Sequence, residues 1–199
     1  MAKAEETVLE IDLKALGHNY NVLRSKIKPE TNFMAVVKAY AYGSDSVAIA
    51  KHLQELGTDY FAVAYVNEGI TLREGGITAP ILVLHPQKVH FTSLIEHRLE
   101  PSIYSQSILT DFIATANAMN IVDYPVHLKF NTGLNRLGFS ADELPIIASL
   151  VEQQKAIKIV AVLSHLAATE DHDERAFTNL QLQRFKNICQ QVDQLFLLQ

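Results

Sequence analysis

The sequence has no tryptophan and only one cysteine, Cys189. A single thiol cannot close an internal disulfide, so no bridge framework staples the fold, and a reducing, cytoplasmic setting is the expectation. A basic surplus is missing as well. The 17 lysines and arginines face 22 aspartates and glutamates, a net charge of −5. That balance excludes a protein built to grip a phosphate backbone, and no nucleic-acid partner is expected. No apolar run approaches the roughly 20 residues that cross a bilayer. The opening MAKAEETVLEID lacks the apolar core and cleavage site of a secretory signal, so no membrane association is expected either. Glycine-rich phosphate loops are absent: neither GxGxxG nor GxxxxGK(S/T) follows any apolar run, which removes the common nucleotide-binding signatures.

What the sequence does have is apolar content, 48% over 199 residues, enough for one sizeable core and too little for two full domains. Residues 1–199 are therefore read as one domain. Short β-branched or aromatic runs alternate with longer stretches of helical spacing. The runs predict strands over Thr7–Leu13, Asn32–Ala39, Tyr60–Val66, Pro80–His85, Leu99–Tyr104, Tyr124–Phe130 and Ile157–His165. Helices are predicted near 14–28, 46–56, 67–74, 88–97, 106–119, 142–154 and 174–195. On the last of these, Leu182, Phe185, Cys189, Val192 and Phe196 recur at three- and four-residue steps, which predicts one buried stripe. Asn67 and Ser140 are candidate N-caps and Gly57 a candidate helix end.

Runs such as FMAVV, YFAVAYV and ILVL are continuously apolar, as strands of a parallel sheet covered on both faces are. Strand–helix alternation of this kind yields an open doubly wound sheet or a closed barrel. The expectation is an α/β fold of (β/α)8 TIM-barrel type, incomplete in this chain. Six βα units follow the N-terminal strand before the sequence stops in the apolar QLFLLQ, whereas a full barrel has eight strands and about 250 residues.

In such a barrel, function collects at the C-terminal ends of the strands. Lys38, Tyr65, His85, Arg136 and His165 fall at those positions. Lys38 follows Ala35, Val36 and Val37. A desolvated ammonium there would be more easily neutralised and could attack a carbonyl, although a lone strand-end lysine more often snorkels to water. Arg136 lies in a loop with Gly133 and offers a planar, permanently charged fork for an oxyanion. His165 reads either as a site residue or as a hydrogen-bonded core histidine. Glu170, Asp171 and Asp173 read as an acidic turn opening a helix, so no metal site is expected. Cys189 reads as inert packing, and Glu68 and Glu74 as solvated helix positions.

AVVKAYAYG resembles the pyridoxal-phosphate attachment motif of alanine racemases, in which the lysine is followed by Ala, a variable pair, Tyr and Gly. TVLEIDLKALGHNYNVLR resembles the family's opening segment, FAVAYVNEGITLREGGITAPILVL its next two units, VHLKFNTGLNRLGF its arginine loop and VLSHLAATED its histidine strand. The chain departs from the family's usual Asp or Asn at Tyr40, from His-Gly at Ser44 and Asp45, and from Asp at Asn131. Its YGS variant is similar to the racemase domain fused to a cell-wall ligase in some bacteria.

The resemblance implies a pyridoxal 5'-phosphate enzyme that interconverts L- and D-alanine for peptidoglycan precursors. Lys38 would carry the cofactor and serve as the base on one face of Cα. Tyr42 would contact the phosphate, His165 would lie against the pyridine ring, and Arg136 would approach the cofactor and the substrate carboxylate. Lys129 matches a lysine that is carbamylated in some members and orients that arginine. The second base would be a tyrosine from the C-terminal domain of the partner in a homodimer. That domain and the last two barrel strands are expected to be missing here, which would leave the isolated chain with little activity. Two other readings are a stand-alone pyridoxal-phosphate homeostasis protein and a fold-related decarboxylase or racemase for another amino acid.

Overall fold

The computed structural model describes residues 7–196. These fall into two compact units, residues 7–84 with 97–99, and residues 85–96 with 100–196.

The first unit opens with helix α1 (Leu13–Arg24), whose start is set by the Asp12 carboxylate. It accepts the Lys14 and Ala15 N–H groups at 2.9 and 3.0 Å, filling donors that a first turn leaves open. The strand expected over Thr7–Leu13 does not form. Residues 7–12 are irregular, and Val8 and Leu9 stay exposed: with no described strand pairing them, the Asp12 cap turns the chain into a helix instead. The unit continues through β1 (Met34–Val36), a left-handed turn α2 (Lys38–Gly43), α3 (Ser46–Glu55), β2 (Tyr60–Val63), α4 (Val66–Glu74) and β3 (Ile81–Val83). The strands are parallel, with Ala35 opposite Phe61 and Ala62 opposite Leu82. Phe61, Ala62, Val63, Ile81 and Val83 are wholly buried, as continuously apolar runs require. Gly57, at φ +92°, adopts the left-handed conformation that ends α3. Asn67 lies inside α4, whose N-cap is Tyr65.

The second unit carries a 3₁₀ turn at Lys88–His90, then α5 (Phe91–Glu96), β4 (Glu100–Ile103), α6 (Gln106–Ala118) and β5 (Tyr124–Lys129). A second 3₁₀ turn (Ala141–Glu143), α7 (Leu144–Glu152), β6 (Ile157–Leu163) and α8 (Arg175–Phe196) complete it. Its strands are parallel too. Ser102 faces His127 and Val126 faces Ile159, after which a bulge brings His127 opposite Ala161. Phe91 and Phe112 meet edge to face at 5.1 Å, and Phe112 meets Tyr124 at 5.8 Å. Ser140 is the expected cap: its N–H donates to the Glu143 carboxylate at 2.8 Å.

Helix α8 corrects one expectation. Its buried positions are Gln181, Ile188 and Val192, while Leu182 is exposed and Cys189 and Phe185 are half-buried. Val192 stays on the buried face as predicted, and Gln181, held inward by hydrogen bonds, joins it in place of Leu182. Of the final QLFLLQ, Gln194, Leu195 and Phe196 continue α8, and the last three residues lie outside the described residues. Among the described residues, no helix is long and apolar enough to cross a membrane.

Candidate active site

Strand β1 stops at Val36, two residues short of Lys38, so this lysine does not sit on the strand. Val37 still donates to the Ala62 carbonyl at 2.8 Å, and the chain then turns. Ala39, Tyr40, Ala41 and Tyr42 all take left-handed dihedrals, with φ between 51° and 60°, and Gly43 follows at φ +91°. Left-handed backbone costs a non-glycine residue roughly 1–2 kcal/mol, so four in succession require support from outside the turn. Internal bonds supply part of it: Ala41 N–H donates to Val37 at 3.0 Å and Ser44 N–H to Tyr40 at 2.7 Å. The Asp45 carboxylate then caps α3 through the Val47 and Ala48 N–H groups, both at 3.0 Å.

External support comes from Glu68, which sequence reasoning placed in solvent. Its carboxylate is half-buried and accepts three backbone N–H groups, from Ala39 at 2.8 Å, Ala64 at 2.6 Å and Tyr65 at 3.1 Å. Lys38 is half-buried at the head of the turn, with its Nζ 6.0 Å from the centroid of the Tyr42 ring. Tyr40 and Tyr42 on this turn, and Tyr65 at the start of α4, are exposed at 75%, 69% and 52%.

In the second unit, Lys129 ends β5 and is 4% exposed. The loop beyond it is shut by a pair of backbone bonds: Phe139 N–H donates to Lys129 and Asn131 N–H to Phe139, both at 2.9 Å. Gly138 makes that closure possible, since a Cβ there would lie 2.6 Å from the backbone of Phe130 and Asn131. Within the loop, Asn131 Oδ1 accepts the Gly133 and Asn135 N–H groups at 3.0 Å, and its Nδ2 donates to Asn135 Oδ1 at 3.0 Å. The Asn131 variant thus keeps the acceptor and adds a donor that a carboxylate lacks. Arg136 is presented, exposed, by this fastened loop.

His165 follows β6 and is also exposed. Three residues missed by sequence reasoning tie its segment to the arginine loop. Thr132 Oγ1 and Ser164 Oγ lie 2.8 Å apart, and Ser164 Oγ donates to the Phe130 carbonyl at 2.8 Å. Gln181 Nε2 donates to Thr132 Oγ1 at 3.3 Å and to the His165 carbonyl at 3.2 Å, while its Oε1 accepts Ala167 N–H at 3.0 Å. Arg184 adds a bond to the Thr132 carbonyl at 3.0 Å. Arg136 and His165 therefore project from one braced framework within this unit, and Lys38 and Tyr42 share one turn in the other. A signal for Gln181 existed in the sequence, a glutamine one step from an apolar stripe; none existed for Glu68, whose partners are backbone groups.

Comparison with known proteins follows the same lines. The family described as alanine racemase, N-terminal domain, matches residues 11–198. Alanine racemase of Synechocystis sp. is 37% identical over 170 residues, 82% of this chain and 44% of the relative. That of Geobacter sp. (strain M21) is 36% identical over 189 residues, 90% of this chain and 48% of the relative. The chain spans about half the length of the curated relatives it matches. The solved alanine racemase of Clostridium difficile 630 superposes with a TM-score of 0.86 at 28% identity, covering 92% of this chain and 48% of that one. This likeness identifies the fold as the α/β barrel type of those racemases, incomplete in this chain. On the family match over 11–198 and these relatives, the chain belongs to the alanine racemase N-terminal domain family.

Proposed function

We propose that this chain is the cofactor-binding part of an alanine racemase, with pyridoxal 5'-phosphate joined to Lys38. The observation that carries the reading is the placement of Lys38, half-buried at the head of a strained turn fixed from outside by Glu68. Backbone strain of this kind persists where the surroundings over-determine it, and it clusters at functional sites. Within each unit the chemistry suits the group: an amine and a phenol share one turn of the first, and the second offers a guanidinium on a fastened loop and an imidazole on a braced segment.

When bound, pyridoxal phosphate supplies an electron sink that makes the α-proton of an amino acid labile. Lys38 Nζ would then take or return that proton on one face of Cα. The Tyr42 hydroxyl would donate to the phosphate, and the His165 imidazole would offer the pyridine ring a planar face. Arg136 would hold the substrate carboxylate, which a planar fork suits. Lys129, buried at the end of β5, would carry a carbamate that orients Arg136. A base on the opposite face would come from a partner subunit of a homodimer. The product would be D-alanine, made in the cytoplasm for peptidoglycan precursors.

Borohydride reduction in the presence of pyridoxal phosphate, followed by peptide mapping, tests the cofactor assignment. One reduced adduct on the Lys38 peptide, absent from Lys38→Ala, is expected; an adduct elsewhere, or none, overturns it. Substrate assignment is tested by following D-alanine formation from L-alanine, and faster turnover of another amino acid would replace alanine.

A further inference from the structure

Glu68 makes more bonds than a helix start needs. It is the third residue of α4, and its Oε2 accepts the Ala64 and Tyr65 N–H groups at 2.6 and 3.1 Å, the reach-back that closes a first helical turn. That role accounts for one oxygen. Oε1 accepts at 2.8 Å from Ala39, which is 29 residues earlier in the chain and directly follows Lys38. Ala39 is the first of the four left-handed residues. The bonds inside the turn run from Ala41 to Val37 and from Ser44 to Tyr40, and the bond that holds Ala39 N–H comes from Glu68.

We propose that Glu68 is a positioning residue for Lys38: by holding the Lys38–Ala39 peptide, its carboxylate fixes the direction in which Lys38 leaves the backbone. The inference rests on Lys38 being the cofactor-bearing lysine. An N–H bonded to a carboxylate restrains the orientation of its peptide, and bonds to ionised acceptors are about twice as strong as neutral ones. The same carboxylate fixes Tyr65 N–H at the end of the neighbouring strand. The Lys38–Ala39 peptide, where the left-handed turn begins, is thereby referenced to the segment that follows β2. In Glu68→Gln one oxygen becomes an amide nitrogen, so either Ala39 or the Ala64 and Tyr65 pair faces a donor instead of an acceptor.

The test uses the full chain as wild type, Glu68→Gln, Glu68→Ala and a control, Gln54→Ala. Gln54 is a comparable backbone clamp, but its Oε1 accepts from Thr78 and Ala79 at 2.9 and 3.0 Å and not from the turn. The readouts are the rate of borohydride-trapped adduct formation at Lys38 with pyridoxal phosphate, and hydrogen exchange at the Ala39 amide. Glu68→Ala is expected to slow adduct formation roughly tenfold or more, as loss of a charge-assisted bond implies. Glu68→Gln should fall between, and Gln54→Ala should keep the wild-type rate. Wild-type adduct formation in Glu68→Ala, or equal slowing in Gln54→Ala, overturns the proposal. Should Glu68→Ala not fold, Glu68→Gln carries the comparison alone. Absence of any Lys38 adduct in the wild type refutes the cofactor assignment instead. Ala39 exchange then decides the contact: faster exchange in the Glu68 variants supports it, and unchanged exchange overturns it.

Discussion

Gln181 is fully buried, and all three of its side-chain bonds run to the segments that carry Arg136 and His165. Gln181→Leu would keep most of the volume but leave the Ala167 N–H without its acceptor. Such a loss costs about 1–3 kcal/mol, so the urea midpoint should fall by that equivalent; an unchanged midpoint would show that water replaces the amide. Glu68 teaches the same lesson from the first unit, since its value lies in backbone donors that no residue pattern advertises. Cys189 differs in kind. Burial, and then the negative charge of Asp193, push its thiol up, partly offset by a backbone hydrogen bond. The thiolate is the reactive form, so labelling by a chromogenic disulfide reagent should lag behind a free thiol at mildly alkaline pH. Because the unfolded chain ionises this thiol at lower pH, its contribution to stability falls as the pH rises through the folded value. Labelling as fast as a free thiol would contradict the burial.

At the scale of elements, the arginine loop rests on a glycine. Gly138 sits at φ +134° with no room for a Cβ against the Phe130 and Asn131 backbone. Gly138→Ala should therefore open the Phe139–Lys129 and Asn131–Phe139 bonds and destabilise the protein by roughly 2 kcal/mol or more, whereas Gly76→Ala, in open space at φ +90°, should cost only its own dihedral strain of about 1–2 kcal/mol. Calorimetric melting of the two variants compares them, and equal losses would remove Gly138 from this role. β2 and β3 were the most legible strands, because strands buried on both faces are apolar throughout, as YFAVAYV and ILVL are, whereas Met34 and Val36 of β1 and Val160 of β6 are apolar yet exposed. The Thr7–Leu13 strand was misread since its pattern carries no information about an absent neighbour. The left-handed turn was illegible for a different reason. Ala39, Tyr40, Ala41 and Tyr42 have no local preference for positive φ, and only Gly43 hints at it. Tertiary bonds override propensity there, and the resemblance to the attachment motif pointed to Lys38 without disclosing the turn that carries it.

For the molecule as a whole, a ligand that binds only the folded state raises stability in step with its concentration. At a hundredfold excess over its dissociation constant, pyridoxal phosphate should add about 2.7 kcal/mol, seen as a rise in melting temperature that Lys38→Ala largely abolishes. A rise of equal size in Lys38→Ala would mean that the stabilising site lies elsewhere. The net charge of −5 gives no general attraction for an anionic cofactor, so under the proposed reading capture would depend on local donors such as Lys38, Tyr42 and Arg136.

The backbone at Ala39–Tyr42 has a chirality consequence. These four residues occupy the region of dihedral space that mirror-image amino acids prefer. Proline, locked near φ −65°, cannot enter any of the four positions. A D-alanine placed at position 41 by semisynthesis would trade strain for ease, raising folding stability by about 1–2 kcal/mol where the same exchange inside α6 would lower it. Paired denaturation curves of the two semisynthetic proteins would read that opposite sign directly, and a loss at both positions would show that the turn is right-handed in solution.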